Sequence, residues 1–186
     1  VAGCVILLVR CHQLSDGVAV VSSAIYGTTL IILYTMSTLY HALANEKAKA
    51  VFRVFDHVTI YLLIAGTYTP YTLACLGGAL GWTLFGIVWA AAIVGIVFSS
   101  ISLRRFQKLS MICYIAMGWV ILIAIKPLWQ VIGTLPMVFL VIGGVLYTGS
   151  VLFYQMKESR YMHSIWHLFV IAGSIFQYFS ILLALT

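Results

Sequence analysis

Six stretches of this chain contain no Asp, Glu, Lys or Arg: 1–9, 17–45, 57–103, 109–125, 127–156 and 161–186. A helix that crosses the hydrocarbon of a bilayer needs about 20 apolar residues, within a range of roughly 17–25. Each stretch after the first can therefore hold a crossing, and the longest can hold two, with the dividing turn most natural at Gly77, Gly78 and Gly81. The expected helices cover approximately 18–43, 54–76, 80–101, 108–126, 132–155 and 163–185. With 63% hydrophobic residues, 8% charged residues and a mean hydropathy of +1.12, a water-soluble globular domain is excluded. Residues 1–9 are too few to span alone. They read as the trailing part of another helix rather than a cleaved signal peptide, since no basic leader precedes them and no small-residue cleavage pattern follows. The expected fold is an all-α integral membrane protein, a seven-transmembrane-helix bundle with its first helix N-terminally truncated, forming a single transmembrane domain over 1–186.

Orientation follows from the ten basic residues. Lys47, Lys49 and Arg53 are expected between the second and third helices, Arg104, Arg105 and Lys108 between the fourth and fifth, and Lys157 and Arg160 between the sixth and seventh. The opposite side receives Arg10 and Lys126, so the positive-inside rule puts the N-terminus inside and the C-terminus outside. The net charge of +6 is thereby a matter of topology and attraction to anionic headgroups, and no nucleic acid partner is expected. Cys4, Cys11, Cys75 and Cys113 are scattered without a CxxC pair, which reads as packing rather than disulfides or thiolate metal sites. Small residues four apart, Gly77 with Gly81 and Ala91 with Gly95, suit close helix contact in lipid.

Against this apolar background a few polar groups collect toward the expected cytoplasmic side. Ser37 and His41 are four residues apart, as are His163 and His167, so each pair shares one helix face. Asp56 is expected in the first turn of the third helix. Three imidazoles with an open position form the ligand set of a catalytic zinc site, with Asp56 and Ser37 left to orient water or a ring. A proton relay and plain polar packing are the competing readings, and Asp56 could instead pair with Arg53, three residues earlier. His57 is set apart from the site by the 100° turn between helix neighbours, and His12 lies on the outer side near Asp16.

The stretch from Ser37 to Thr72, with STLYHAL and VFRVFDHVTIYLLIAGTYTPYT, together with AMGW at Ala116 to Trp119 and HSIWHLF at His163 to Phe169, closely resembles the haemolysin III branch of the progestin and adipoQ receptor family. The resemblance runs over essentially the whole chain. It implies a seven-helix membrane protein with zinc (Zn2+) near the cytoplasmic face. In that family's adiponectin receptors an SxxxH motif of the second helix supplies one histidine and an HxxxH motif of the seventh supplies two, while an aspartate of the third reaches the metal through water. By position these become His41, His163 and His167 as ligands, Asp56 as the water partner and Ser37 as a nearby polar group. The GTYTP run, Gly66 to Pro70, matches the family but reads as a proline bend and a packing signal.

A zinc site within a membrane implies a lipid-like partner. The first functional expectation is a zinc-dependent hydrolase of lipid amides or esters, which the resemblance supports through the ceramidases thought to be distant relatives, acting in membrane lipid homeostasis at the plasma (cell inner) membrane. The second is a non-enzymatic regulator or receptor of lipid state whose zinc is structural. The third, a pore-forming cytolysin, is weakest physically, because the chain carries the signals of a resident membrane protein and little polar surface outside short loops.

Overall fold

The computed structural model describes residues 1–14, 16–155 and 161–186, with the side chains of Arg104, Gln155 and His163 outside the description. Among the described residues the regular elements are all helical, in the order α1 (Ala2–Gln13), α2 (Gly17–Ala42), α3 (Glu46–Thr69), a π-helical turn (Pro70–Leu76), α4 (Gly78–Ile101), α5 (Leu103–Gly118), a 3-10 stretch (Val120–Ala124), α6 (Ile125–Ile132), α7 (Thr134–Gln155) and α8 (Met162–Leu185). Among the described residues six runs are long and apolar enough to cross a membrane: Gly17–Ala42, Glu46–Leu76, Gly78–Ile101, Arg105–Ile132, Thr134–Tyr154 and Ser164–Leu185. The all-helical membrane fold expected from hydropathy is thus the one observed. The chain divides into two compact units, Val1–Val120 and Ile121–Thr186.

Helix boundaries depart from the hydropathy boundaries, for a local reason. Asn45 accepts from the amides of Lys47 and Ala48 at 3.0 and 3.1 Å, and Ser102 accepts from that of Arg105 at 3.3 Å. These caps start α3 and α5 several residues before the apolar stretches do. Lys47, Lys49 and Arg53 therefore stand in the opening turns of α3, and Arg104, Arg105 and Lys108 in those of α5, rather than in loops. Asp56 lies about three turns into α3, not in its first turn. Lys126 likewise sits inside α6. The chain reverses at Gly133, φ 77°, seven residues past Lys126, because a lone lysine near a membrane surface can snorkel without ending its helix. Hydropathy locates the hydrocarbon edge, whereas the cap locates the helix end.

The bend expected at Pro70 takes the form of the π-helical turn. Proline has no N–H to give to the preceding turn, and the chain widens so that the Gly77 amide bonds the Thr72 carbonyl at 3.0 Å, five residues back. The Thr72 hydroxyl donates to the carbonyls of Tyr68 and Thr69, and Thr69 donates to that of Ala65, so each hydroxyl is satisfied by a carbonyl of the preceding turn. Gly77, at φ 57° and ψ −163°, then makes the reversal into α4, a conformation open to a residue without a side chain.

In the first unit α3 packs against α2, α4 and α5. The buried stripe of α4 is Gly81, Leu84, Val88, Ala92, Gly95 and Ser99, the three-and-four spacing of a helix seam. Ala92 rather than Ala91 belongs to it, while Gly77 serves the turn. Polar side chains bridge helices directly. The Trp89 indole donates to the Thr69 hydroxyl at 3.1 Å, Tyr68 to the Gly118 carbonyl at 2.8 Å, and Ser99 and Ser110 share a bond of 2.9 Å.

The second unit is organised by a seam between α7 and α8. Tyr147 and Ser174 share a hydroxyl bond of 2.7 Å, Gln177 Nε2 donates to the Leu140 carbonyl at 3.1 Å, and Ser180 donates to the Pro136 carbonyl at 2.6 Å. Ser174, Gln177 and Ser180 recur every third residue along one face of α8. Gln177 is only 6% exposed, and its Oε1 has no partner among the described residues.

Three substitutions test these contacts in protein purified in mild detergent. A Cβ at Gly66 would overlap the Thr29 side chain of α2, so Gly66→Ala is expected to cost about 1–3 kcal/mol in denaturant unfolding, with partial recovery in the Thr29→Ala double variant. On α8, Ser180→Ala should cost about 0.6 kcal/mol, the usual scale of such bonds in membranes. Gln177→Met, which removes the orphaned oxygen together with its bonded partner atom, should fall near neutral, within about 1 kcal/mol.

Candidate metal centre

His41 occupies the last turn of α2. Its Nδ1 lies 2.8 Å from the Ser37 main-chain carbonyl, one turn earlier. A carbonyl can only accept, so Nδ1 carries the proton and the lone pair falls on Nε2. That is the arrangement in which a histidine presents Nε2 to a metal while a carbonyl sets its tautomer. Ser37 contributes to this through its backbone. The edge of the His41 ring meets Tyr40, with centroids 4.7 Å apart.

Asp56 is buried, 5% exposed, on α3, where Val58 and Thr59 are buried as well. Among the described residues its carboxylate accepts no hydrogen bond, and the nearest ionisable contact is His57, whose Nδ1 stands 4.0 Å from Oδ2. The alternative pairing with Arg53 does not form among the described residues; Arg53 is instead exposed. Its carbonyl accepts from His57 Nδ1 at 2.9 Å, which curls the imidazole back along the helix and brings it beside Asp56. Adjacent residues diverge by 100° at Cβ, but this backbone tether overrides that divergence, and the sequence pattern carried no sign of it. Tyr114 of α5 adds a further hold by donating to the His57 carbonyl at 2.8 Å. Residue spacing offers no signal for this contact either, since it joins positions 57 apart in sequence.

In the second unit, residues 163 and 167 fall in the opening turns of α8, Met162–Leu185. The His167 ring lies 4.3 Å from that of Trp166, centroid to centroid, and Trp166 is in turn 5.3 Å from Tyr154 of α7. The His163 side chain lies outside the described residues. Among the described residues no three His, Cys, Asp or Glu side chains gather into a cluster able to hold a metal ion. Ser37, His41 and Asp56 belong to the first unit, and His163 and His167 to the second.

A profile of the family described as Haemolysin-III related matches residues 1–178. Hemolysin-3 of Bacillus cereus is 43% identical over 178 residues, covering 96% of this chain and 81% of the relative. The Hemolysin-3 homolog of Bacillus subtilis (strain 168) is 43% identical over 163 residues, 88% of this chain and 76% of the relative. Monocyte to macrophage differentiation factor of Homo sapiens is 25% identical over 177 residues, 91% and 73% of the respective chains. No solved structure matches the chain with significance. A multi-pass helical fold, ordered motifs along its length and these similarities agree: the chain belongs to the haemolysin III-related family, within the wider progestin and adipoQ receptor group.

Proposed function

We propose that this haemolysin III-related membrane protein binds one zinc ion through His41, His163 and His167, and uses it to hydrolyse an amide or ester bond of a membrane lipid at the inner leaflet of the cytoplasmic membrane. The observation that carries this reading is the Asp56 carboxylate. A buried acidic group with no hydrogen bond among the described residues is costly to keep, and intramembrane acidic residues of this kind mark functional sites. The donor chemistry supports the metal as well, because the Ser37 carbonyl leaves His41 with its lone pair on Nε2.

When bound, zinc supplies a Lewis acid that brings the pKa of water toward about 7. Asp56 then accepts the proton at a carboxylate oxygen and returns it to the leaving amine or alkoxide of the lipid. His57 stands beside Asp56, its Nδ1 4.0 Å from Oδ2 and its Nδ1 proton given to the Arg53 carbonyl, and Tyr114 keeps the His57 backbone in place. The low exposure of Asp56 limits bulk water around the reacting group. The alternative in which zinc only ties helices together uses the same histidines but has no need of the Asp56 proton acceptor. The Bacillus cereus relative carries the name Hemolysin-3; lysis by this chain would require purified protein to enter a foreign bilayer, against the six apolar runs that commit it to insertion in its own.

Elemental analysis of detergent-purified protein is expected to give about one zinc per chain, lost in His41→Ala and in the His163→Ala/His167→Ala double variant. Asp56→Ala should keep the metal while lowering turnover of lipid amides or esters by about 10²–10⁴-fold, the scale of a general base. Metal retained with no hydrolysis by the wild type on any lipid amide or ester would favour the structural role. Absence of metal from folded wild type would end the proposal.

A further inference from the structure

The end of the first unit where α3 and α5 begin carries a set of cations with no acidic partner. Lys47 and Arg53 on α3 and Arg105 and Lys108 on α5 are exposed, and Lys49 is half-buried. Among the described residues none of the five forms an ion pair. The acids of this end are the exposed Glu46 and the buried Asp56. The two helix starts share one end because α4 reverses the chain between them. The Ser99–Ser110 bond, from the last turns of α4 to the early turns of α5, records that reversal.

Apolar side chains are exposed between and just beyond these cations. Phe55 is 46% exposed two residues from Arg53, and Ile112 is 64% exposed one turn from Lys108. At about 1.5 Å rise per residue, Lys49 and Phe55 differ in depth by only about 9 Å. A surface whose apolar residues need hydrocarbon and whose cations stand a turn or two above it matches the phosphate layer over acyl chains, with the long basic side chains reaching outward. Arg105 lies over the Phe106 ring, 5.6 Å from its centroid.

We infer that Lys47, Lys49, Arg53, Arg105 and Lys108 form a selective binding surface for anionic phospholipid headgroups of the leaflet in which they stand. The inference does not depend on the metal or on hydrolysis. The site holds its ligand by several separated charges rather than one fixed pocket, so selectivity should follow headgroup charge and fall with salt.

The test uses the full chain in phosphatidylcholine nanodiscs with traces of spin-labelled phosphatidylglycerol or phosphatidylcholine, and reads the immobilised lipid fraction. Wild type should favour phosphatidylglycerol by about tenfold at low salt, a preference that collapses near 1 M salt, where the screening length is about 3 Å. The variant K47Q/K49Q/R53Q/R105Q/K108Q should show equal affinity for the two lipids. Its helix starts keep the Asn45 and Ser102 caps, and its thermal unfolding in phosphatidylcholine checks that it is folded; the salt series on wild type decides the matter without it. Equal affinities in wild type, a salt-independent preference, or a preference kept by the folded variant would each overturn the inference. So would soluble polyglutamate binding the protein in phosphatidylcholine discs as tightly as phosphatidylglycerol, which would mark an acidic protein as the partner.

Discussion

Within hydrocarbon a backbone amide or carbonyl has no water to bond, and each one left alone costs several kcal/mol. Nearly every feature of this chain answers that constraint. Its regular elements are helices because a helix satisfies its backbone within one segment. Where Pro70 removes a donor, the chain widens into the π-helical turn, within which the Thr72 hydroxyl bonds the carbonyls of Tyr68 and Thr69. The same hydroxyl-to-carbonyl bonds recur at Thr67 and Thr148. Threonine and serine thus act in this chain as local backbone partners before they act as anything else.

With the backbone satisfied helix by helix, association between helices needs another source, since lipid is as apolar as leucine. Both units use close approach and polar bridges. In the first, Gly66 lets α3 come against Thr29 of α2, and Trp89, Tyr68 and Ser99 span from one helix to the next. In the second, Ser174, Gln177 and Ser180 stitch α8 onto α7. The orphaned Oε1 of Gln177 shows the limit of this device: a two-headed amide placed in a seam that offers an acceptor for one head leaves the other without a donor.

The same constraint keeps the described charged side chains out of the interior, with one exception that matters. Asp56 lies well inside α3, buried, beside a histidine whose ring is tied by the backbone and near a tyrosine that reaches across from α5. Packing alone does not require an acid there. A family resemblance that assigns Asp56 to a metal site and a structure in which that carboxylate lacks a hydrogen-bonding partner among the described residues are independent reasons to look for chemistry at this position.

The solvent, the membrane runs and the Gly77 reversal were legible in the residues alone, because bilayer thickness imposes a length that charge-free stretches display directly. The candidate residues Ser37, His41, Asp56, His163 and His167 were legible too, as motifs at helical spacing that match a known family. Whatever depends on groups distant in sequence or on a single bond was settled by folding. Caps at Asn45 and Ser102 moved the starts of α3 and α5 outward, so the cations of both became helical. Ala92 rather than Ala91 entered the α4 seam, since helix rotation is set by the neighbour and not by composition. His57 came to lie beside Asp56, and His41 acquired a defined tautomer, through carbonyls one turn away whose use no residue pattern announces. Hydropathy is a sum over many residues and survives local error, whereas a site is made by individual bonds, and those exist only once the chain has folded.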